Sequence, residues 1–229
     1  MLTSGQVVEL TAHDLDQIAA ILTQAFIEDP LIRHVLNDHN EDYQQILHAL
    51  FLTNCQHRLV HHNVQIIGYR EGAPLVGVAV ISPPDVPLMH EDRHINDNGL
   101  LNRLSATETQ LFTAHEHVIE QYRPSIPHMY LVLLGVHPEK RGRGYGAALL
   151  RTMHDLSAMH PTSQGVYLDT QNAVNVPMYQ HFGYQILGYE QSGPVGTWCL
   201  FRANAVECCE RDDVIKSDLA MEGRRENVQ

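Results

Sequence analysis

The chain has 229 residues, 44% of them apolar and 18% charged, enough for one domain with a substantial core. A formal net charge of −12 argues against nucleic-acid binding, which runs on phosphate neutralisation, and weakly favours cationic partners, amines among them. No apolar run approaches ~20 residues, so no membrane-spanning helix is expected, and residues 1–6 lack the basic and apolar regions of a secretory signal.

Residues 5–10 read as a short strand. Thr11-Ala12-His13-Asp14 forms a capping box, and Leu15, Ile18, Ala19, Leu22 and Phe26 then follow helical spacing. Asp29-Pro30 is expected to end that helix, with residues 31–36 as an apolar turn. Ile46, Leu47, Leu50 and Phe51 mark a helix over residues 41–60. Residues 64–70 and 75–82 read as two strands joined at Glu71-Gly72. After a proline-rich break at 83–87, residues 88–124 are polar and largely helical, with a loop near 96–99. Residues 128–136 form a buried strand. A helix follows with Leu149, Met153 and Leu156 on its apolar face. A strand over 165–170, a short helix over 173–182 and strands over 184–190 and 197–202 complete the pattern. The expected class is α+β: one mixed sheet flanked by helices, a single domain over residues 1–205. Residues 206–229 form a polar tail.

The most informative stretch is Val132 to Leu150, where an apolar strand runs into a Gly/Arg loop that opens a helix. Such a loop aims several backbone N–H groups at one spot on the positive end of a helix dipole, which suits phosphate. Lys140, Arg141 and Arg143 add charge there. The spacing Arg141-x-x-Gly144-x-Gly146 is neither the dinucleotide fingerprint nor a nucleotide-triphosphate loop, so Mg²⁺-nucleotide chemistry is not supported.

Cys55, Cys199, Cys208 and Cys209 have no zinc spacing and are expected as free thiols in a reducing cytoplasm. His57, His61 and His62 fit one helix face, and His115 fits with a neighbour one turn away. No carboxylate or cysteine completes a set, so no metal is expected.

The strand–Arg141-x-x-Gly144-x-Gly146–helix unit, in this element order, resembles the GNAT superfamily of acetyl-CoA-dependent N-acetyltransferases. Residues 167–184, with Asn172, Asn175, Tyr179 and Gly183-Tyr184, are similar to that family's second core segment. Residues 25–34 and 196–200 are similar to stretches of puromycin N-acetyltransferase-like members. The resemblance covers residues 8–203 and implies acetyl-CoA, with no metal, in a cleft between splayed strands.

Residue by residue, it implies that Leu134 offers its N–H to the thioester carbonyl and that Val136 pairs with the pantetheine arm. Arg141, Gly142, Arg143, Gly144, Tyr145 and Gly146 would hold the pyrophosphate. Asn172 or Asn175 would line the pantetheine, and Tyr179 would sit beside the sulfur as proton donor. Asp169 is the first candidate for a base or for binding the amine. Glu28, Asp29 and Trp198 are candidates for the acceptor site, and His128 and His181 are outside candidates. The expected partner is a small primary amine, with neither nucleic acid nor membrane, and a monomer or homodimer. A non-catalytic acyl-CoA sensor or regulatory module and a protein N-acetyltransferase are the alternatives.

Overall fold

The computed structural model describes residues 5–36, 41–61, 64–84 and 104–205. The expected loop near 96–99 and the tail at 206–229 lie outside them. The described elements are β1 (Gly5–Leu10), α1 (Leu15–Phe26), α2 (Pro30–Leu36), α3 (Tyr43–His61), β2 (Gln65–Glu71), β3 (Leu75–Ser82) and α4 (Ala106–Gln121). They continue with β4 (Met129–Val136), α5 (Tyr145–Met159), β5 (Gly165–Thr170), α6 (Val176–His181), β6 (Gln185–Ser192) and β7 (Val195–Ala203).

Among the described residues, seven strands form one sheet in the order β1-β2-β3-β4-β5-β7-β6. Every pair is antiparallel except β4 and β5. One face packs on α1, α2 and α3 through Leu22, Leu47 and Phe51, and the other on α5 and α6 through Leu149, Met153 and Tyr179. Helix α4 packs Val118 and Ile119 near Tyr130, Tyr167 and Cys199. Strand β3, covered on both faces, is buried at all eight positions, which is why it reads as an unbroken apolar run. The mixed α+β class matches the expectation.

Two local features differ from the sequence reading. Residues 31–36 are not a turn; they lie within helix α2, which buries Ile32, Val35 and Leu36. Asp29-Pro30 starts this helix. Oδ1 of Asp29 accepts the N–H groups of Leu31 (3.0 Å) and Ile32 (3.2 Å), and Pro30, with no N–H to lose, occupies the first turn. The second feature is a bulge in β4. Val80 pairs with Leu133 but Ile81 pairs with Leu131, which leaves Val132 unpaired. Leu131 therefore packs towards α5, Val132 and Leu133 both pack towards the opposite layer, and Leu134 returns to the α5 side.

The bulge lies where the sheet opens. The parallel ladder between β4 and β5 covers only Met129 to Leu131 against Val166 to Leu168. Beyond it, β4 stays paired with β3 as far as Val136, and β5 stays paired with β7 as far as Thr170. A V-shaped gap results, with Val132–Val136 on one arm and Asp169–Thr170 on the other.

Candidate active site

The arm formed by β4 has an open edge. The His137 N–H bonds the carbonyl oxygen of Val76 at 2.9 Å, so His137 faces β3. Backbone groups alternate sides along a strand, so Gly135 faces β3 as well, and Leu134 and Val136 direct their N–H and C=O groups into the gap. Gly135 also lets α1 approach: a Cβ there would lie 2.8 Å from the Ala25 Cβ.

At the far end of this edge, a 3₁₀ turn over Pro138–Lys140 leads into the glycine loop. Gly142 and Gly144 take φ of 76° and 83°, and no heavy atom would lie within 4 Å of a Cβ on either, so space is open at this turn. Gly144 caps α5, and the bond from Ala148 N–H to its carbonyl (2.9 Å) closes the first turn. The first N–H groups of α5 have no partner within the helix. The loop's cations are unequal. Lys140 pairs with Glu71 at 2.6 Å and holds that carboxyl below its usual range, with Tyr145 adding a hydrogen bond. Arg141 donates to the Ala25 carbonyl at 2.9 Å. Arg143 is exposed, 3.9 Å from Glu71, and the Tyr145 ring stacks on Tyr69.

On the other side of the gap, α6 presents Tyr179. The tyrosine is buried, edge-on to Tyr184, in the same cluster as Leu134 and Trp198. Its hydroxyl has no hydrogen-bond partner among the described residues. Burial, reinforced by the charge of Asp169, pushes the phenol well above its ordinary range, so it keeps its proton at neutral pH. Just upstream, Asn172 accepts the Val174 N–H at 3.1 Å and orders the turn. Asn175 precedes α6 without a side-chain cap bond.

Asp169 is the first residue of β5 beyond the ladder, and it faces the α4 side. Oδ1 accepts from the Tyr130 hydroxyl at 2.5 Å, Oδ2 accepts from Gln171 at 2.7 Å, and Nε2 of His115 lies 3.3 Å from Oδ2. Burial pushes this carboxyl up, but His115, Tyr130 and Gln171 together outweigh it and hold it below the usual carboxylate range. His115 also lies 3.4 Å from the Thr197 hydroxyl, and both line a small cavity with Leu31, His34, Leu111 and Val195. Asp29 feels the charges of Asp169 and His115, and burial raises its carboxyl.

Residues 108–186 match the family model for the acetyltransferase (GNAT) domain. Over these residues the chain is similar to the GNAT acetyltransferases. Solved structures share the fold of this chain. A Corynebacterium glutamicum protein, histone acetyltransferase HPA2 and related acetyltransferase, is 24% identical with a TM-score of 0.64, over 90% of this chain and 99% of that one. Arylalkylamine N-acetyltransferase 2 from Aedes aegypti is 14% identical with a TM-score of 0.65, over 88% and 100%. A Drosophila melanogaster polyamine N-acetyltransferase that forms N-acetylagmatine is 19% identical with a TM-score of 0.54, over 86% and 98%.

Of the residues expected at the site, Leu134 and Val136 lie on the open edge of β4, and Arg141 to Gly146 form the loop and the start of α5 beyond it. Asp169 lies on the opposite arm, Tyr179 packs in the same cluster as Leu134, and Asn172 and Asn175 lie in the turn before α6. Asp29 lies within electrostatic reach of Asp169 and His115. Glu28 does not join them: its side chain is 75% exposed and pairs with Arg33. Trp198 lies opposite Thr170 and packs 4.7 Å from the Tyr189 ring, so it is part of the sheet wall. His128 stands near the start of β4 against Tyr167 and Phe201, and His181 is exposed at the end of α6. Sequence reasoning missed His115 as a partner of Asp169, along with Tyr130 and Thr197. These residues come from three separate elements, and no local spacing signals that they meet. Gln171 lies within residues 167–184, the stretch similar to the family's second core segment, two residues from the carboxylate it serves.

Among the described residues no group of three or more His, Cys, Asp or Glu side chains could hold a metal ion, and no helix is long and apolar enough to cross a membrane. Cys55 and Cys199 are buried free thiols.

Proposed function

We propose that this chain is an acetyl-CoA-dependent N-acetyltransferase of the GNAT kind that moves the acetyl group to a small primary amine by direct attack on the thioester. The observation that carries the reading is the open edge of β4 past the Val132 bulge, with a phosphate-suited loop at one end and, across the gap, a protonated Tyr179 whose hydroxyl has no hydrogen-bond partner among the described residues. The amine substrates named for the Drosophila and Aedes neighbours agree with it. Buried thiols at Cys55 and Cys199 fit a cytoplasmic enzyme.

The residues present fit acetyl-CoA. Gly142 and Gly144 leave room for phosphates beside the α5 N-terminus, Arg141 and Arg143 supply charge, and Val136 offers its backbone groups along the open edge. Acetyl-CoA supplies an activated acyl group. The Leu134 N–H donates to the carbonyl oxygen as charge grows there, an effect commonly worth ~3–4 kcal/mol. Tyr179 gives its proton to the departing thiolate. Asp169, held ionised, makes the acceptor side negative and draws in an ammonium.

The test is a mass-spectrometric screen of an amine library with purified protein and acetyl-CoA, run beside Tyr179→Phe. Acetylated small amines, with turnover cut in the variant, support the reading. Acetyl-CoA binding with no transfer to any amine sinks it in favour of a non-catalytic binder. Unchanged turnover in Tyr179→Phe removes the proton-donor role.

A further inference from the structure

We propose that His115 on α4 is the group that takes the proton from the incoming ammonium, with Asp169 as its positioning residue. The proposal rests on the acetyltransferase reading and adds to it the missing base. An alkyl ammonium with a pKa of ~10 has no lone pair until a proton leaves. Asp169 is the only carboxylate at the fork of the sheet among the described residues, and it is unsuited to that task. It already accepts from Tyr130 and Gln171, and these bonds favour its charged, weakly basic form.

His115 is placed differently. Nε2 of its ring faces two groups: Oδ2 of Asp169 at 3.3 Å, which only accepts, and the Gln171 amide nitrogen at 3.4 Å, which only donates and already serves Oδ2 at 2.7 Å. We take the contact with the charged carboxylate to decide, so that Nε2 carries the hydrogen. That assigns the lone pair to Nδ1, which lies 3.4 Å from the Thr197 hydroxyl. His115 and Thr197 share a cavity whose other walls include Leu31, Leu111 and Val195. In the step, an N–H bond of the ammonium breaks and an Nδ1–H bond forms. The freed electron pair stays on the amine nitrogen and attacks the thioester carbonyl, and the imidazolium, facing ionised Asp169, returns the proton to solvent after product leaves. This division of labour follows from an imidazole oriented by a buried carboxylate.

Other charged or titratable groups surround the ring. Asp29 and His34 come from the α2 region, Tyr130 from β4 and Asp169 from β5, while Arg58 on α3 and Glu116 on α4 lie within electrostatic reach of the Asp169 network.

The experiment compares kcat/KM against pH for the wild type, His115→Gln and Asp169→Asn, with acetyl-CoA Kd measured separately. His115→Gln is expected to lose about 10²–10⁴-fold at pH 7 with Kd unchanged, and to lose less near pH 10, where much of the amine is already free. Wild-type kcat/KM and pH profile in His115→Gln overturn the proposal and leave the acetyltransferase reading standing. A wild type that binds acetyl-CoA but acetylates no amine overturns both. Nitrogen NMR of wild-type His115 is independent of any variant's folding: hydrogen on Nε2 supports the proposal, and hydrogen on Nδ1 of the neutral ring overturns it.

Discussion

The Tyr130 hydroxyl donates to Oδ1 of Asp169 at 2.5 Å, one residue past the point where β4 and β5 stop pairing. The bond ties the two arms together from the α4 side just where backbone bonding ends. It also helps to keep a buried carboxylate ionised.

Replacing Tyr130 by Phe leaves that carboxylate short of a donor, and stability at pH 7 is expected to fall by about 1–3 kcal/mol. The folded-state carboxyl of Asp169 is depressed, so its stabilisation is present above the ordinary carboxylate pKa and is lost as pH falls through the lower folded value. The gap between wild type and variant should therefore narrow towards pH 2. Urea denaturation at pH 7 and pH 2.5 checks this, and an equal gap at both would contradict it.

His154 supplies a second pH dependence. Burial first, then the nearby Arg202 and Arg151 guanidinium groups, push its imidazole down to about 4, and Nε2 lies 3.0 Å from the Tyr184 hydroxyl. The unfolded chain takes up this proton near pH 6.5 and the folded chain only near pH 4, so stability is lost as pH falls through that window. The loss amounts to about 2–3 kcal/mol. Denaturation midpoints of His154→Gln should be flatter between pH 6.5 and 4 than those of the wild type.

Gly144 and Gly146, two residues apart, should respond with opposite signs. Gly144→Ala forces a side chain into φ of 83°, costing about 1–2 kcal/mol, and should weaken acetyl-CoA binding by disturbing the cap of α5. Gly146 lies inside α5, and an added Cβ would meet only the Val136 side chain at an ordinary 3.5 Å. Gly146→Ala should raise stability by about 0.5–1 kcal/mol. Thermal unfolding of both variants, with calorimetry of acetyl-CoA, separates the two effects.

The approach of α1 to β4 depends on Gly135. Gly135→Ala places a methyl group 2.8 Å from the Ala25 Cβ and is expected to cost about 1–3 kcal/mol. Adding Ala25→Gly should recover part of it, giving a coupling energy above ~0.5 kcal/mol in a double-mutant cycle. Strict additivity would show that the contact is not what opposes the methyl group.

The sequence alone determined the elements whose causes are local. Apolar periods marked most of the strands and helices, Thr11 and Asp14 marked a cap, and the Arg141–Gly146 spacing marked a strand–loop–helix turn suited to phosphate. Asp29-Pro30 shows where local reasoning stops. The pair ends one helix or begins another with equal chemistry, and the burial of Ile32, Val35 and Leu36 decided for α2. Only the tertiary structure decided what surrounds Asp169. Tyr130 stands 39 residues away along the chain, and His115, Thr197 and Asp29 come from elements that meet only when α2 and α4 pack near the fork. Contacts at such separation are set by packing of whole elements, which no residue spacing records.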